Sequence, residues 1–303
     1  MKILVTGGNG FIGSHLSESL IDSGHQVTIV DFKKNKNTDN INCRKVITDI
    51  YEKEGITELA QDKDLIIHLA AVSRVDDAQI DPIRCYNTNV NGTLNILEAI
   101  KNSHTKLIFS SSREVYGEPN KVPVFEENDK NPLTVYGSSK LAGEQIIKTY
   151  QKLYGVDYVT LRFANVYGSS RDLPQRVIPK FVDSCINNKP LTLNGGNQVI
   201  DFTFIDDVIN GVLNLVTDID SGKENHFGED YNFASGIGTS VTVLAKLIKS
   251  IFNSDSELIF NKERSYDVKN FIGNSDKAKR DLSFSPEHKL QQGLTLLKER
   301  SNY

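Results

Sequence analysis

An apolar run, Lys2-Ile3-Leu4-Val5, stops at Thr6 and gives way to Gly7-Gly8-Asn9-Gly10-Phe11-Ile12-Gly13, after which apolar residues recur at helical spacing. Few folds use such a segment. A strand that turns at once into a helix needs Gly7 for the tight turn, Gly10 for close backbone approach to a pyrophosphate and Gly13 for packing of helix on strand. The helix that opens at Phe11 and Ile12 presents free N–H groups and a partial positive charge beyond the strand. Taken alone, the run also describes a strand–turn–helix connection without a ligand.

Asp31 decides between the two. It ends the second apolar run, 18 residues after Gly13, where an acidic residue meets the ribose hydroxyls of a bound dinucleotide. Its carboxylate would repel a 2′-phosphate by on the order of a few kcal/mol at an effective dielectric of about 20, so NAD is expected rather than NADP. Lys33 and Lys34 soften that preference. After a third strand, Asp49-Ile50 offers a carboxylate and a backbone amide to the adenine edge; otherwise Asp49 reads as a helix cap.

Apolar runs go on alternating with helix-period stretches, the pattern of βαβ units and a parallel sheet. Strands are expected at 2–5, 26–30, 45–48, 65–69, 106–110 and 158–162, and helices at 11–22, 51–59, 82–101 and 136–153. The expected fold class is α/β: a doubly wound parallel sheet, a Rossmann fold, with a smaller C-terminal α/β lobe. At about 150 residues per domain, 303 residues allow two units. Residues 1–163 read as the cofactor domain, with 198–216 returning to it, and 164–197 and 217–303 as a substrate lobe. In that second half, short strands are expected at 191–193, 199–204, 231–233 and 257–260, among helices at 176–187, 241–252, 276–282 and 290–299 and one capped by Asp206 or Asp207.

A formal net charge of −4 leaves no overall positive field to draw the chain to nucleic acid or an anionic membrane. Cys43, Cys85 and Cys185 form no CxxC pair and no two histidines stand at ligand spacing, so neither a disulfide framework nor a metal site is expected. The apolar start is too short for a signal peptide or a membrane span, and a cytoplasmic protein is expected.

Tyr136-Gly137-Ser138-Ser139-Lys140 sets a phenol and an ammonium at i and i+4 on one helical face. A free phenol, with a pKa of about 10, is a poor base at neutral pH. Lys140 and a cationic nicotinamide would favour the phenolate. The same spacing is common on plain helix surfaces, so its surroundings matter. Ser110-Ser111-Ser112 ends the fifth strand at the carboxyl edge of the sheet, where ligands bind in such folds, and Ser112 can hydrogen-bond the hydroxyl whose proton Tyr136 takes.

These residues resemble the extended short-chain dehydrogenase/reductases that act on nucleotide sugars. The likeness runs nearly end to end, through the glycine run, Asp31, Asp49-Ile50, His68-Leu69-Ala70-Ala71, Asn87-Thr88-Asn89-Val90-Asn91-Gly92-Thr93, Ser111-Ser112 with Val115-Tyr116-Gly117, and Tyr136 to Lys140. It continues through Leu161-Arg162-Phe163-Ala164-Asn165-Val166-Tyr167-Gly168, Asp201-Phe202-Thr203-Phe204-Ile205-Asp206-Asp207, and Arg264 with Asp267. The resemblance implies Tyr136 as the base, Lys140 on the nicotinamide ribose and Ser112 on the sugar hydroxyl. It places Leu69, Ala70, Ala71 and Ser110 along the cofactor, Asn89 near its pyrophosphate or nicotinamide side, and Asn165, Arg264 and Asp267 on the sugar nucleotide.

It further implies NAD-dependent 4-epimerisation of a UDP-hexose of the glucose/galactose type through a transient 4-keto sugar. A homodimer joined by the 82–101 and 136–153 helices is implied as well. Two departures qualify this. Ile200 stands where many relatives carry arginine, so one diphosphate contact is missing. Arg113-Glu114 stands where dehydrating relatives carry Asp-Glu, which argues against dehydration. Glu114 itself is kept in relatives that decarboxylate UDP-glucuronate, which makes it a further candidate catalytic residue and decarboxylation the alternative; its plain reading is an ion pair with Arg113 or a lysine. A non-catalytic NAD-binding protein is the third reading, against which the intact Ser112, Tyr136 and Lys140 speak.

Overall fold

The computed structural model describes residues 1–301. Strands β1 (Lys2–Thr6), β2 (Gln26–Asp31), β3 (Arg44–Ile47), β4 (Leu65–His68), β5 (Lys106–Ser112) and β6 (Tyr158–Phe163) alternate with helices in the first half. Then come β7 (Asn165–Tyr167), β8 (Leu191–Asn194), β9 (Val199–Phe204), β10 (Glu229–Phe233), β11 (Gly238–Ser240) and β12 (Leu258–Asn261). Seven strands build one parallel sheet in the order β3-β2-β1-β4-β5-β6-β10. Helices cover both faces, so the central strands read as unbroken apolar runs. Leu4, Ile66, Leu107 and Phe109 pack on one face, and Ile3, Val5, Ile67 and Ile108 on the other. The strand order reverses between β1 and β4, which opens a crevice at their carboxyl ends.

The second half departs from expectation at one point. The strand at 199–204 does not return to the main sheet: β9 lies between β7 and β11 in a separate three-stranded sheet. What returns is the helix Ile205–Asp220, which packs on the helix Phe11–Asp22, and β10, which adds the seventh strand beside β6. Phe233 of β10 stacks on Phe284 at 4.1 Å between ring centroids and meets Phe163 edge-on. A short apolar stretch such as 231–233 carries no local mark of which sheet it joins. The 82–101 helix is also divided, into Pro82–Tyr86, one wide turn at Asn87–Asn91, and Gly92–Ile100. No helix among the described residues is long and apolar enough to cross a membrane.

One buried polar group fixes the elements around the carboxyl edge. Glu144, on the helix Val135–Tyr154, accepts hydrogen bonds from Ser111 Oγ (2.6 Å) of β5 and from both Nε (2.9 Å) and Nη2 (2.8 Å) of Arg162 on β6. Arg162 also reaches Asp230 of β10 at 2.6 Å and the Tyr116 hydroxyl at 2.9 Å. Such a pair is tolerable in the interior only because every charge has partners.

Candidate active site

Gly7 and Gly13 occupy positions closed to any side chain. Gly7 has a φ of +69°, and a Cβ on it would lie 2.7 Å from the Ala70 nitrogen; a Cβ on Gly13 would lie 2.3 Å from the Gly7 carbonyl oxygen. Gly10 caps the helix Phe11–Asp22 without a side-chain hydrogen bond, leaving the first-turn N–H groups, those of Phe11 and Ile12 included, to face outward. Across the crevice, Leu69, Ala70 and Ala71 leave the end of β4, with the Ala70 N–H bonded to Thr6 Oγ1 at 3.3 Å. Asp31 is buried at the end of β2 and accepts the Asn9 N–H at 3.0 Å. Burial pushes its carboxyl up, and the backbone N–H groups of Asn9, Lys33 and Phe32 pull it back. Ile50 packs under Gly92, where a Cβ would lie 2.5 Å from Ile50 Cδ1, while Asp49 is next to it, accepting the Tyr51 N–H at 3.4 Å. A cradle that admits no Cβ, a helix N-terminus and a carboxylate at a strand end fit a bound dinucleotide.

Two residues expected along the cofactor spend their side chains on the protein. Ser110 Oγ donates to the His68 carbonyl at 2.9 Å, which ties β5 to β4. Asn89 Oδ1 accepts the Val72 N–H at 2.8 Å while its Nδ2 donates to Ser139 Oγ at 2.8 Å, joining the loop after β4 to the catalytic helix. Below them His68 is sealed between Thr6 Oγ1 (2.7 Å) and Thr93 Oγ1 (3.0 Å). Burial, with Lys140 nearby, holds its pKa down at about 3, so the ring is neutral.

Tyr136 lies in the first turn of the helix Val135–Tyr154, which Thr134 caps by accepting the Gly137 N–H at 3.0 Å. Ser112 lies near its phenol. Burial pushes the phenol up to about 12; Ser112 and the Arg176 guanidinium draw it down, whereas Glu114 and Cys85 push it further up. The sequence points to Lys140, with a cationic nicotinamide, as the charges acting on the phenol; in the folded chain the Arg176 guanidinium also acts on it. Lys140 Nζ sits over the Phe109 ring, 4.8 Å from its centroid, and burial brings its pKa down to about 8.

Glu114 is paired with Arg113, Oε1 to Nη2 at 2.7 Å, and Arg113 Nε donates to Asn165 Oδ1 at 2.8 Å. Asn165, expected on the sugar nucleotide, is thus held from the catalytic side. Arg264 is held by two carboxylates: Nε and Nη2 face Asp267 at 3.0 and 2.8 Å, and Nη1 reaches Asp76 at 2.9 Å. Ile200, in β9, packs partly buried against the core. Sequence reading missed Asp76, whose partner is 188 residues away and leaves no local signature, and Cys85, buried among Asn89, Ser139 and Tyr136. The Arg113–Glu114 pair is the ion pair offered by the plain reading of the sequence, whereas the bond from Arg113 to Asn165 has no local mark.

Residues 3–234 match the model of the NAD dependent epimerase/dehydratase family. A Methanocaldococcus jannaschii protein that carries a provisional UDP-glucose 4-epimerase name is 38% identical over 300 residues, spanning 96% of this chain and 95% of that one. The solved UDP-glucose 4-epimerase of Thermotoga maritima, with UDP-glucose, superposes with a TM-score of 0.93 at 33% identity, covering 99% of this chain and 98% of the other. The UDP-glucuronic acid 4-epimerase of Bacillus cereus, solved with UDP-glucuronic acid and NAD, gives 0.92 at 32% identity over the same shares. The glycine cradle, Asp31 and the Ser112–Tyr136 pair therefore sit in a chain that belongs to the NAD dependent epimerase/dehydratase family, an enzyme with NAD as its cofactor.

Proposed function

We propose that this chain interconverts the 4-epimers of a UDP-hexose of the glucose/galactose type. The observation that carries the reading is the Tyr136 phenol, set near Ser112 at the carboxyl edge of the sheet, beside a Glu114 already engaged by Arg113. Bound NAD+ supplies a hydride acceptor for carbon 4 of the sugar and returns the hydride. Tyr136 takes the proton of the 4-hydroxyl and gives it back, Ser112 orients that hydroxyl, and Lys140 holds the nicotinamide ribose. Returning hydride to the other face of the 4-keto sugar requires the hexose to turn while the nucleotide stays fixed. A guanidinium at Arg264, with Asn165 and Asp267, is suited to hold the diphosphate end. NMR of the anomeric protons during incubation with UDP-glucose or UDP-galactose tests this. No interconversion of any UDP-hexose or UDP-uronate overturns it, and loss of carbon dioxide from UDP-glucuronate, read by mass, replaces it with decarboxylation.

In this reading the enzyme works as a homodimer. Ile83 is 75% exposed at the start of the 82–101 segment expected to pair and Leu153 is exposed at the end of the 136–153 segment, with Ile80 and Tyr154 exposed just outside them. Three free thiols, Cys43, Cys85 and Cys185, accord with a reducing, cytoplasmic setting.

A further inference from the structure

The turn that follows β5 is pressed against the first turn of the catalytic helix. Gly137 has no room for a side chain, since a Cβ there would lie 2.5 Å from the Glu114 carbonyl oxygen. The Glu114 N–H donates to Ser112 Oγ at 3.2 Å, so the hydroxyl near the phenol is itself set by this turn. Glu114 is a buried carboxylate, and Arg113, its side chain only 12% exposed, is the cation that faces it. The same guanidinium holds the Asn165 amide and lies 5.5 Å from the centroid of Phe271. One arginine thus clamps the turn, the carboxylate and β7 together.

We propose that Arg113 is a positioning residue of the active site, cancelling the charge of Glu114 beside Tyr136 and fixing the turn that sets Ser112, so that Glu114 is kept from opposing the base and carries out no proton transfer. The proposal rests on the reading of Tyr136 as the base. Groups acting on the phenol are Ser112 and Glu114 from the end of β5 and its turn, Arg176 ahead of the helix Val177–Ile186, and Cys85 from the helix Pro82–Tyr86, while Lys140 of its own helix sits over Phe109. Of these, Glu114 and Cys85 oppose the phenolate, and the effect of Glu114 is limited by how fully Arg113 neutralises it. An unpaired carboxylate at that position raises the phenol.

The test uses the full-length, NAD-loaded protein labelled at the tyrosine ζ carbon, with the Tyr136 signal assigned by Tyr136→Phe and followed by NMR against pH. Burial alone pushes the phenol up to about 12, and the cationic nicotinamide of bound NAD+ is expected to bring the native midpoint below about 10, the ordinary value for tyrosine. Arg113→Leu should raise it, Arg113→Lys should restore it, and Arg113→Leu with Glu114→Gln should bring it back to or below the native value. Glu114→Gln alone, nearly isosteric, should lower it. A native midpoint that stays above 10 overturns the assignment of Tyr136 as the base. A native midpoint below 10 that Arg113→Leu or Glu114→Gln leaves unmoved, or a rise in Arg113→Leu that survives in the double variant, overturns only the role given to Arg113.

Discussion

His68 shows how much a single neutral ring decides in this interior. Its folded pKa of about 3 lies well below the ordinary 6.5, because burial between two threonines disfavours the cation. Above pH 6.5 the ring is neutral whether the chain is folded or not. Between 6.5 and 3 the unfolded chain binds a proton that the folded one refuses, so stability is lost as the pH falls, at about 1.4 kcal/mol per pH unit from this group. Urea unfolding at pH 7 and pH 5 should show that His68→Gln reduces the acid loss by about 2 kcal/mol. For the chemistry, Tyr136→Phe should lower kcat by about 10²–10⁴-fold while the protein still retains NAD, read by NMR turnover and by cofactor content.

The catalytic helix is held at two places, and each makes its own prediction. At its start, Gly137→Ala drives a methyl into a backbone oxygen that cannot rotate away. Stability should fall by about 1–3 kcal/mol in denaturant titrations, with turnover lowered as Tyr136 shifts from Ser112. Two turns on, Glu144→Ala strips Arg162 of a two-pronged partner in a fully buried place and should cost about 3–5 kcal/mol by the same measurement. How much of this was legible differs by kind of element. The helical spacing from Tyr136 to Lys140 and the apolar runs of β1, β4 and β5 are local patterns, and they stand in the fold as the residues suggest. Which sheet 199–204 and 231–233 would join depends on partners far away in the chain, and there the local pattern is silent. The roles of Glu144 and Arg162 were hidden for the same reason: a charged residue inside a buried element is interpretable only once its counter-charge is known.

Across the whole molecule the glycine cradle and the tyrosine pair could be read from spacing because each is a local device, whereas Asn89, Arg113 and Asp76 acquire their roles only through contacts between separate segments. The exposed apolar residues belong to this larger scale, too. Ile83→Glu should shift a dimer to a monomer in sedimentation measurements. The Arg264–Asp76 pair has another consequence. Arg264 and Asp76 meet at 2.9 Å with their side chains 39% and 37% exposed, so that bond is open to the medium, while the Arg162 group is not. The screening length falls from about 10 Å at 0.1 M salt to about 3 Å at 1 M. Ionic strength is therefore expected to weaken the Arg264–Asp76 pair and to leave the Arg162 group in place. Stopped-flow release of a UDP-sugar should quicken with salt in the native enzyme and lose that dependence in Asp76→Asn, with the thermal midpoint of the sheet nearly unchanged in both.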